Sequence, residues 1–349
     1  MKPSSVSAPR HILRSIFLLA CLCIIATVTR AQTIVPETAR IDTLFTDGMV
    51  LTEGVAVAPD GQVYFSDITF TFLAGPEGTQ AGHIWHYDPT TGKTEIFRSP
   101  SGMSNGIKFD ARGNMIVAEG ADYGGRRIIR TDMKTGKSNI IAGLYAGRPF
   151  NSCNDITIDE MGRIYFSDPR YLGHEPVDQP VMAVYRIDTD GSVHRIIVDA
   201  GKPNGVAVSP DQKTLYVVSN DNGATGFDRL PTDALTHKGR MALLAYDLHK
   251  DGSATFRKVL VDYWPEDGPD GLVCDTSGNL YIAERSVKRP GISVRDPEGM
   301  ELGFIPTEVP TNVGFGRGEN TNLLYITAGK SLYSIRLNTK GYQLPESSK

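Results

Sequence analysis

Six oxygen-bearing side chains recur along the chain, each just ahead of a short segment of alternating apolar residues: Glu53, Asn105, Asn154, Asn204, Asp270 and Asn312. Mixed carboxylates and amide carbonyls are the donors that a hard divalent cation takes, and Ca²⁺ accepts them in irregular geometry. No His or Cys stands at these positions, which argues against Zn²⁺ or copper as the preferred ion. A cation so held could polarise an ester carbonyl while a neighbouring carboxylate activates water. Asx residues also favour strand entries because they build turns, and for Asn105 and Asn312 that turn role competes with a metal role.

The elements that position these residues repeat six times. Glu53–Asp67 shows the unit: an apolar-alternating strand, the turn Pro59-Asp60-Gly61, and a second strand ending in Ser66-Asp67. Related units start at Ser104, Asn154, Pro203, Pro269 and Thr311. A second pair of strands follows in each, such as His83–Asp88 with Thr94–Phe97 and Val184–Asp188 with Val193–Ile197. Four strands recurring at a period of about 50 residues are the pattern of propeller blades. The expected fold is all-β, a six-bladed β-propeller in one domain over 32–349. Expected blades are 53–100, 104–142, 153–199, 203–262, 269–306 and 311–337, with 40–46 added to the last. Ile41–Phe45 is expected to complete that blade, because the sixth unit supplies only three strands.

In such a ring the first strand of each unit lines the axis. Its entry end faces the same side as the segments Asp67–Gly82, Glu119–Arg126, Asp168–Val181, Asn220–Arg240 and Glu284–Pro290, which are long, whereas the opposite turns are tight. Long loops over one face of a rigid scaffold are where a pocket is expected. Buried oxygens there are costly without a partner, and a divalent cation is the natural one.

Bulk properties bound the partners. The N-terminus reads as an export signal: Lys2, Arg10 and Arg14 precede the apolar run Ser15–Val28, with Thr29-Arg30-Ala31 as the cleavage site. Residues 1–31 are therefore expected to be removed, leaving an exported periplasmic or extracellular protein with no stable membrane span. Leu18-Leu19-Ala20-Cys21 also resembles a lipoprotein box, which makes a lipid anchor the minority alternative. Without residues 1–31 the chain has 32 basic and 40 acidic residues, a formal charge of −8, which disfavours nucleic acid as a partner. Cys21 and Cys23 leave with the signal, and Cys153 and Cys274 are expected as buried thiols.

On these motifs the chain resembles the SMP-30/gluconolactonase/luciferin-regenerating-enzyme-like (regucalcin-like) family. The matching pieces are Glu53-Gly54, Asn151-Ser152-Cys153-Asn154-Asp155, Pro203-Asn204-Gly205, Pro269-Asp270-Gly271, Tyr165–Pro169, and Ala118-Glu119-Gly120 followed by Arg126-Arg127. They run in order across residues 40–337. The resemblance implies a six-bladed propeller, one axial divalent cation (Ca²⁺, with Mg²⁺, Mn²⁺ and Zn²⁺ as alternatives) and lactonase activity. Carried over by position, Glu53, Asn154, Asn204 and Asp270 are the implied metal ligands. Asp270 is the implied catalytic acid or base, and Asp155 is a second candidate. Two positions depart from the family: Ser152 stands where the regucalcin branch has a substrate-contacting Arg, and Gly120-Ala121 stand where many gluconolactonases have a His. Both bear on sugar specificity and not on the metal positions.

The expected reaction is metal-assisted opening of a small lactone. Asn105 and Asn151 are candidates for binding substrate hydroxyls, with Tyr171 and His174 in a loop over the same face. No Gly-x-Ser-x-Gly elbow, phosphate loop or dinucleotide fingerprint is present. The alternatives are an organophosphate or aryl-ester hydrolase on the same cation, and a non-catalytic propeller held together by its metal.

Overall fold

The computed structural model describes residue 1 and residues 33–69, 81–224 and 238–345. Residues 2–31 of the expected signal segment, with Leu18–Cys21 and Cys23 among them, lie outside the described residues. So do parts of the two longest loops expected over the pocket face.

Residues from Thr33 onward form one compact unit built on six four-stranded antiparallel sheets. The first blade is Leu51–Val57, Val63–Ile68, His83–Asp88 and Lys93–Arg98. The second is Ser104–Phe109, Met115–Glu119, Arg127–Thr131 and Ser138–Ala142. The third is Ile156–Ile158, Ile164–Asp168, Ala183–Ile187 and Val193–Ile197, and the fourth is Pro203–Val208, Thr214–Asn220, Met241–Leu248 and Ala254–Asp262. The fifth is Leu272–Cys274, Leu280–Glu284, Gly291–Arg295 and Glu301–Pro306. The sixth takes Pro310–Phe315, Leu323–Ala328 and Ser331–Arg336, and Ile41–Phe45 adds its outer strand, with Ile41 opposite Ile335. Joining the two ends of the chain in one blade closes the ring and leaves no open edge between first and last units.

The core sits between blades. Among the described residues six apolar clusters form, one at each interface: Ile116 and Ile128 meet Ile156 and Phe166, and Val55 and Phe65 meet Tyr325 and Leu332 across the closure. A blade has two apolar faces, so it is stable only when sandwiched. The outermost strands, such as Lys93–Arg98, are largely exposed. The sequence reading did not anticipate a short hairpin, Leu144–Tyr145 with Arg148–Pro149, between the second and third blades. Nor did it anticipate the path of the C-terminal segment. Tyr342 N donates to Cys274 O, Gln212 Nε2 to the Tyr342 hydroxyl, and that hydroxyl to Glu160 Oε1. Gln343 Nε2 reaches Phe315 O. The segment therefore crosses the blade ends on the side of the tight turns, tying the third to sixth blades. Cys153 and Cys274 are free and buried, and burial pushes the Cys274 thiol up to about 12.

Candidate active site

The strand entries are irregular where the chemistry lies. In the first blade Thr52 faces Asp67 but the next ladder pair is Val55 with Phe65, so Glu53 and Gly54 oppose a single residue. Asn105-Gly106 and Asn204-Gly205 are bulged in the same way. Bulges re-aim a side chain out of the pleat, and here they turn Glu53, Asn105 and Asn204 toward the axis. In the third and fifth blades the regular ladder begins only at Ile156 and Leu272. Asn154 and Asp270 precede it, held by Asn154 N to Ser167 O and Asp270 N to Ala283 O. The glycine after the ring residue is needed because the next blade's backbone crosses it: a Cβ at Gly54 would lie 2.3 Å from Asn105 O, and one at Gly205 would lie 2.3 Å from Asp270 O.

These entries line one cavity of about 400 Å³. Glu53, Asn105, Asn154, Asn204 and Asp270 all contribute to its lining, as do Tyr171 and Arg285. All five ring residues are at most 9% exposed. Asp270 is gripped on both oxygens: Arg285 Nη1 donates to Oδ2 at 2.7 Å and Asn204 Nδ2 to Oδ1 at 2.7 Å. Arg285 was not among the residues singled out from sequence. It follows the recurrent Ala283-Glu284 strand end by one residue, which is the signal that could have found it.

Burial, with the Asp270 charge second, pushes the Glu53 carboxyl well above the usual carboxylate range, while Arg285 pulls it back. Burial also raises Asp270 against the lowering effects of Arg285 and Asn204. The Tyr171 phenol is pushed up by burial and by the Asp270 charge. Negative charge in the cavity is thus under-compensated, because two carboxylates face one guanidinium.

Whether the residues suit a divalent cation is decided by the atoms left over. Glu53 Oε2, Asn105 Oδ1 and Asn204 Oδ1 are buried and have no hydrogen-bond partner. All three are acceptors in side chains that line the cavity, and a hard cation satisfies acceptors where another hydrogen-bond acceptor could not. The donor set fits. Among the described residues no cluster of three His, Cys, Asp or Glu side chains has metal-ligand spacing, so the fit rests on amide oxygens with two carboxylates.

Other candidates are placed elsewhere. Asp155 does not line the cavity. It occupies the position filled by glycine in the first, second, fourth and fifth blades, and its Oδ2 accepts from Val206 N of the next blade at 3.0 Å. Asn151 is also absent from the lining and fully buried, its Oδ1 accepting from Gln179 N. Asn312 likewise stands at the glycine position, because Thr311 and Asn312 together oppose Thr327; it is absent from the cavity lining, and its Oδ1 accepts from Val313 N. His174 packs on Tyr123 and lies 3.5 Å from Asp122, away from the cavity lining. Tyr171 does line the cavity, with its hydroxyl donating to Asn220 O.

The repeated Ser-Asp strand ends turn out to be clamps. Asp67 accepts from the amides of Met49 and Val50, and Asp168 from those of Asn151 and Ser152. Each fixes the segment entering its own innermost strand. In the third blade Arg126 Nε adds a bond to Phe150 O and Arg170 Nη1 one to Asn151 O. Asn154 is therefore carried on a rigid segment although it stands outside the regular ladder.

Comparison with known proteins places this geometry. A family model described as the SMP-30/Gluconolactonase/LRE-like region matches residues 51–330. A gluconolactonase from Zymomonas mobilis is 31% identical over 311 residues, covering 81% of this chain and 79% of that protein. The solved structure of a gluconolactonase from Xanthomonas campestris is 26% identical, with a TM-score of 0.69 over 88% of this chain and 91% of that one. A calcium-binding regucalcin from Agrobacterium tumefaciens shares the fold, at a TM-score of 0.65 and 18% identity over 88% of this chain and 97% of that one.

Proposed function

Given that the chain belongs to the SMP-30/gluconolactonase/LRE-like family, we propose that it hydrolyses a small lactone at the axial cavity, with a divalent cation held by Glu53, Asn154, Asn204 and Asp270. The observation that carries this reading is the set of orphaned buried oxygens on Glu53, Asn105 and Asn204 beside the doubly held carboxylate of Asp270. When bound, a divalent ion there supplies Lewis-acid polarisation of an ester carbonyl and charge neutralisation for the oxyanion.

The chain's own residues do the rest. Asn204 and Arg285 fix the Asp270 carboxylate in one orientation, so that it can accept a proton from an attacking water without reorganising. The water oxygen bonds to the carbonyl carbon, the ring C–O bond breaks, and the proton passes from Asp270 to the departing alkoxide. The product is the open hydroxy acid. Burial raises the Asp270 carboxyl in the cation-free protein, and a bound cation together with Arg285 would draw it back down and keep it ionised. Tyr171 forms part of one wall of the cavity.

The test is base consumption during hydrolysis of a panel of γ- and δ-lactones by the Ca²⁺-loaded protein, by EDTA-treated protein, after Ca²⁺ restoration, and by Asp270→Ala. Turnover that follows the cation and is lost in a folded Asp270→Ala supports the reading. Metal binding without turnover of any lactone sinks it in favour of other esters.

A further inference from the structure

The cavity has a polar floor and an apolar wall. Above Glu53, Asn154, Asn204 and Asp270 the lining passes to Leu51, Ile68, Met103, Ala121 and Leu172. Most hydrogen bonds of the polar side chains at that level run into the protein. The Tyr171 hydroxyl donates to Asn220 O at 3.0 Å, and Asn220 Nδ2 to Gly268 O at 2.9 Å. Ser152 Oγ accepts from Ala121 N at 3.0 Å. Asn222 Oδ1 accepts from Ala224 N and from Lys202 Nζ, whose ammonium stands 4.7 Å from the centre of the Tyr171 ring.

We infer that the lactone this site takes carries an apolar substituent on its ring in place of a set of hydroxyls. The inference rests on the lactonase reading above. With its ester carbonyl at the polar floor, a lactone presents its ring substituents to the wall. Among the described residues that wall offers aliphatic and thioether surface, and most of its polar side chains are engaged with the protein, the buried Oδ1 of Asn220 being an unpartnered exception. An apolar chain gains from displacing water there. A ring hydroxyl placed against it loses its water partners and finds few replacements, at a cost of roughly tenfold in affinity each.

The experiment measures kcat/KM of the Ca²⁺-loaded full chain for γ-butyrolactone, γ-hexalactone, γ-nonalactone and D-galactono-1,4-lactone, which share one ring size. The expected result is a rise of about two- to fourfold per methylene over the first few carbons, with γ-nonalactone exceeding the galactonolactone by roughly tenfold or more. In Leu172→Asn, and in the milder Ile68→Thr should the first fold poorly, the nonalactone-to-butyrolactone ratio falls by about fivefold. A preference for the galactonolactone, or a profile flat in chain length, overturns the inference and leaves the lactonase reading standing. Failure to open any of the four, with none of the δ-lactones of the wider panel turned over either, removes both.

Discussion

Arg285 and Asn204 each hold one of the two oxygens of Asp270, both at 2.7 Å. One grip is a charge-assisted bond from the strand-two end of the same blade, and the other comes from the ring residue of the preceding blade. Asp270 is thus both a buried anion with a paired cation and a member of the oxygen ring. Removing either partner leaves a buried carboxylate under-compensated. Arg285→Met is expected to keep the fold, lower the melting temperature by a few degrees, and cut kcat by on the order of ten- to a hundredfold. Arg285→Lys is expected to recover part of the loss, because a point charge replaces the guanidinium fork. Unchanged kcat in Arg285→Met would show that Asp270 needs no such partner.

A cation that binds the ring stabilises the folded state by mass action, by about 2.7 kcal/mol when present at a hundred times its dissociation constant. For a domain of this size that is a rise of about 3–8 °C in melting temperature. Glu53→Gln keeps shape and volume but removes a charge whose burial is unfavourable in the cation-free protein. Its expected behaviour is a crossover: at least as stable as the parent in EDTA, less stable in excess Ca²⁺. Thermal melts with and without Ca²⁺ read this directly, and parallel melting curves for parent and variant would remove Glu53 from the ligand set.

Asp168 gives a pH signature apart from the cavity. Burial pushes its carboxyl up from 3.8 to about 7, against the lowering effect of the amides of Asn151 and Ser152. The folded state therefore keeps this proton where the unfolded chain releases it. The contribution is full below about pH 4, declines as pH rises, and is gone above about pH 7. Urea unfolding at a series of pH values should show that downward slope, and Asp168→Asn should flatten it. An Asn at 168 also presents an amide donor to one of two backbone N–H groups, which costs about 1–3 kcal/mol at all pH values.

The C-terminal segment lies at the opposite face from the cavity. Tyr342→Ala removes the bonds to Glu160 and Gln212 across the blade ends. The expected outcome is a lower melting temperature with kcat/KM within twofold of the parent. A large loss of activity at full folding would mean that the lower face is coupled to the ring.

Local chemistry carried most of the architecture. Alternating apolar residues and Asp-Gly turns specify strand pairs one blade at a time, and six such units with a lone strand at Ile41–Phe45 leave ring closure as the only complete arrangement. The same periodicity marked Glu53, Asn154, Asn204 and Asp270 as strand entries facing one axis. What periodicity could not decide is where a side chain points when the pleat is broken. The bulges at Glu53-Gly54, Asn105-Gly106 and Asn204-Gly205 reset the alternation, the sixth blade puts Asn312 at the glycine position and so outside the cavity lining, and the absence of glycine at Asp155 sends a carboxylate to its neighbour's backbone. Arg285 on Asp270, Asp168 on the Asn151 and Ser152 amides, and Tyr342 on Glu160 and Gln212 depend on which loop ends the closed ring brings together. Repeated strand ends mark where Arg285 and Asp168 stand, but the partner each meets lies on another segment, so the contacts themselves were assigned by the tertiary structure.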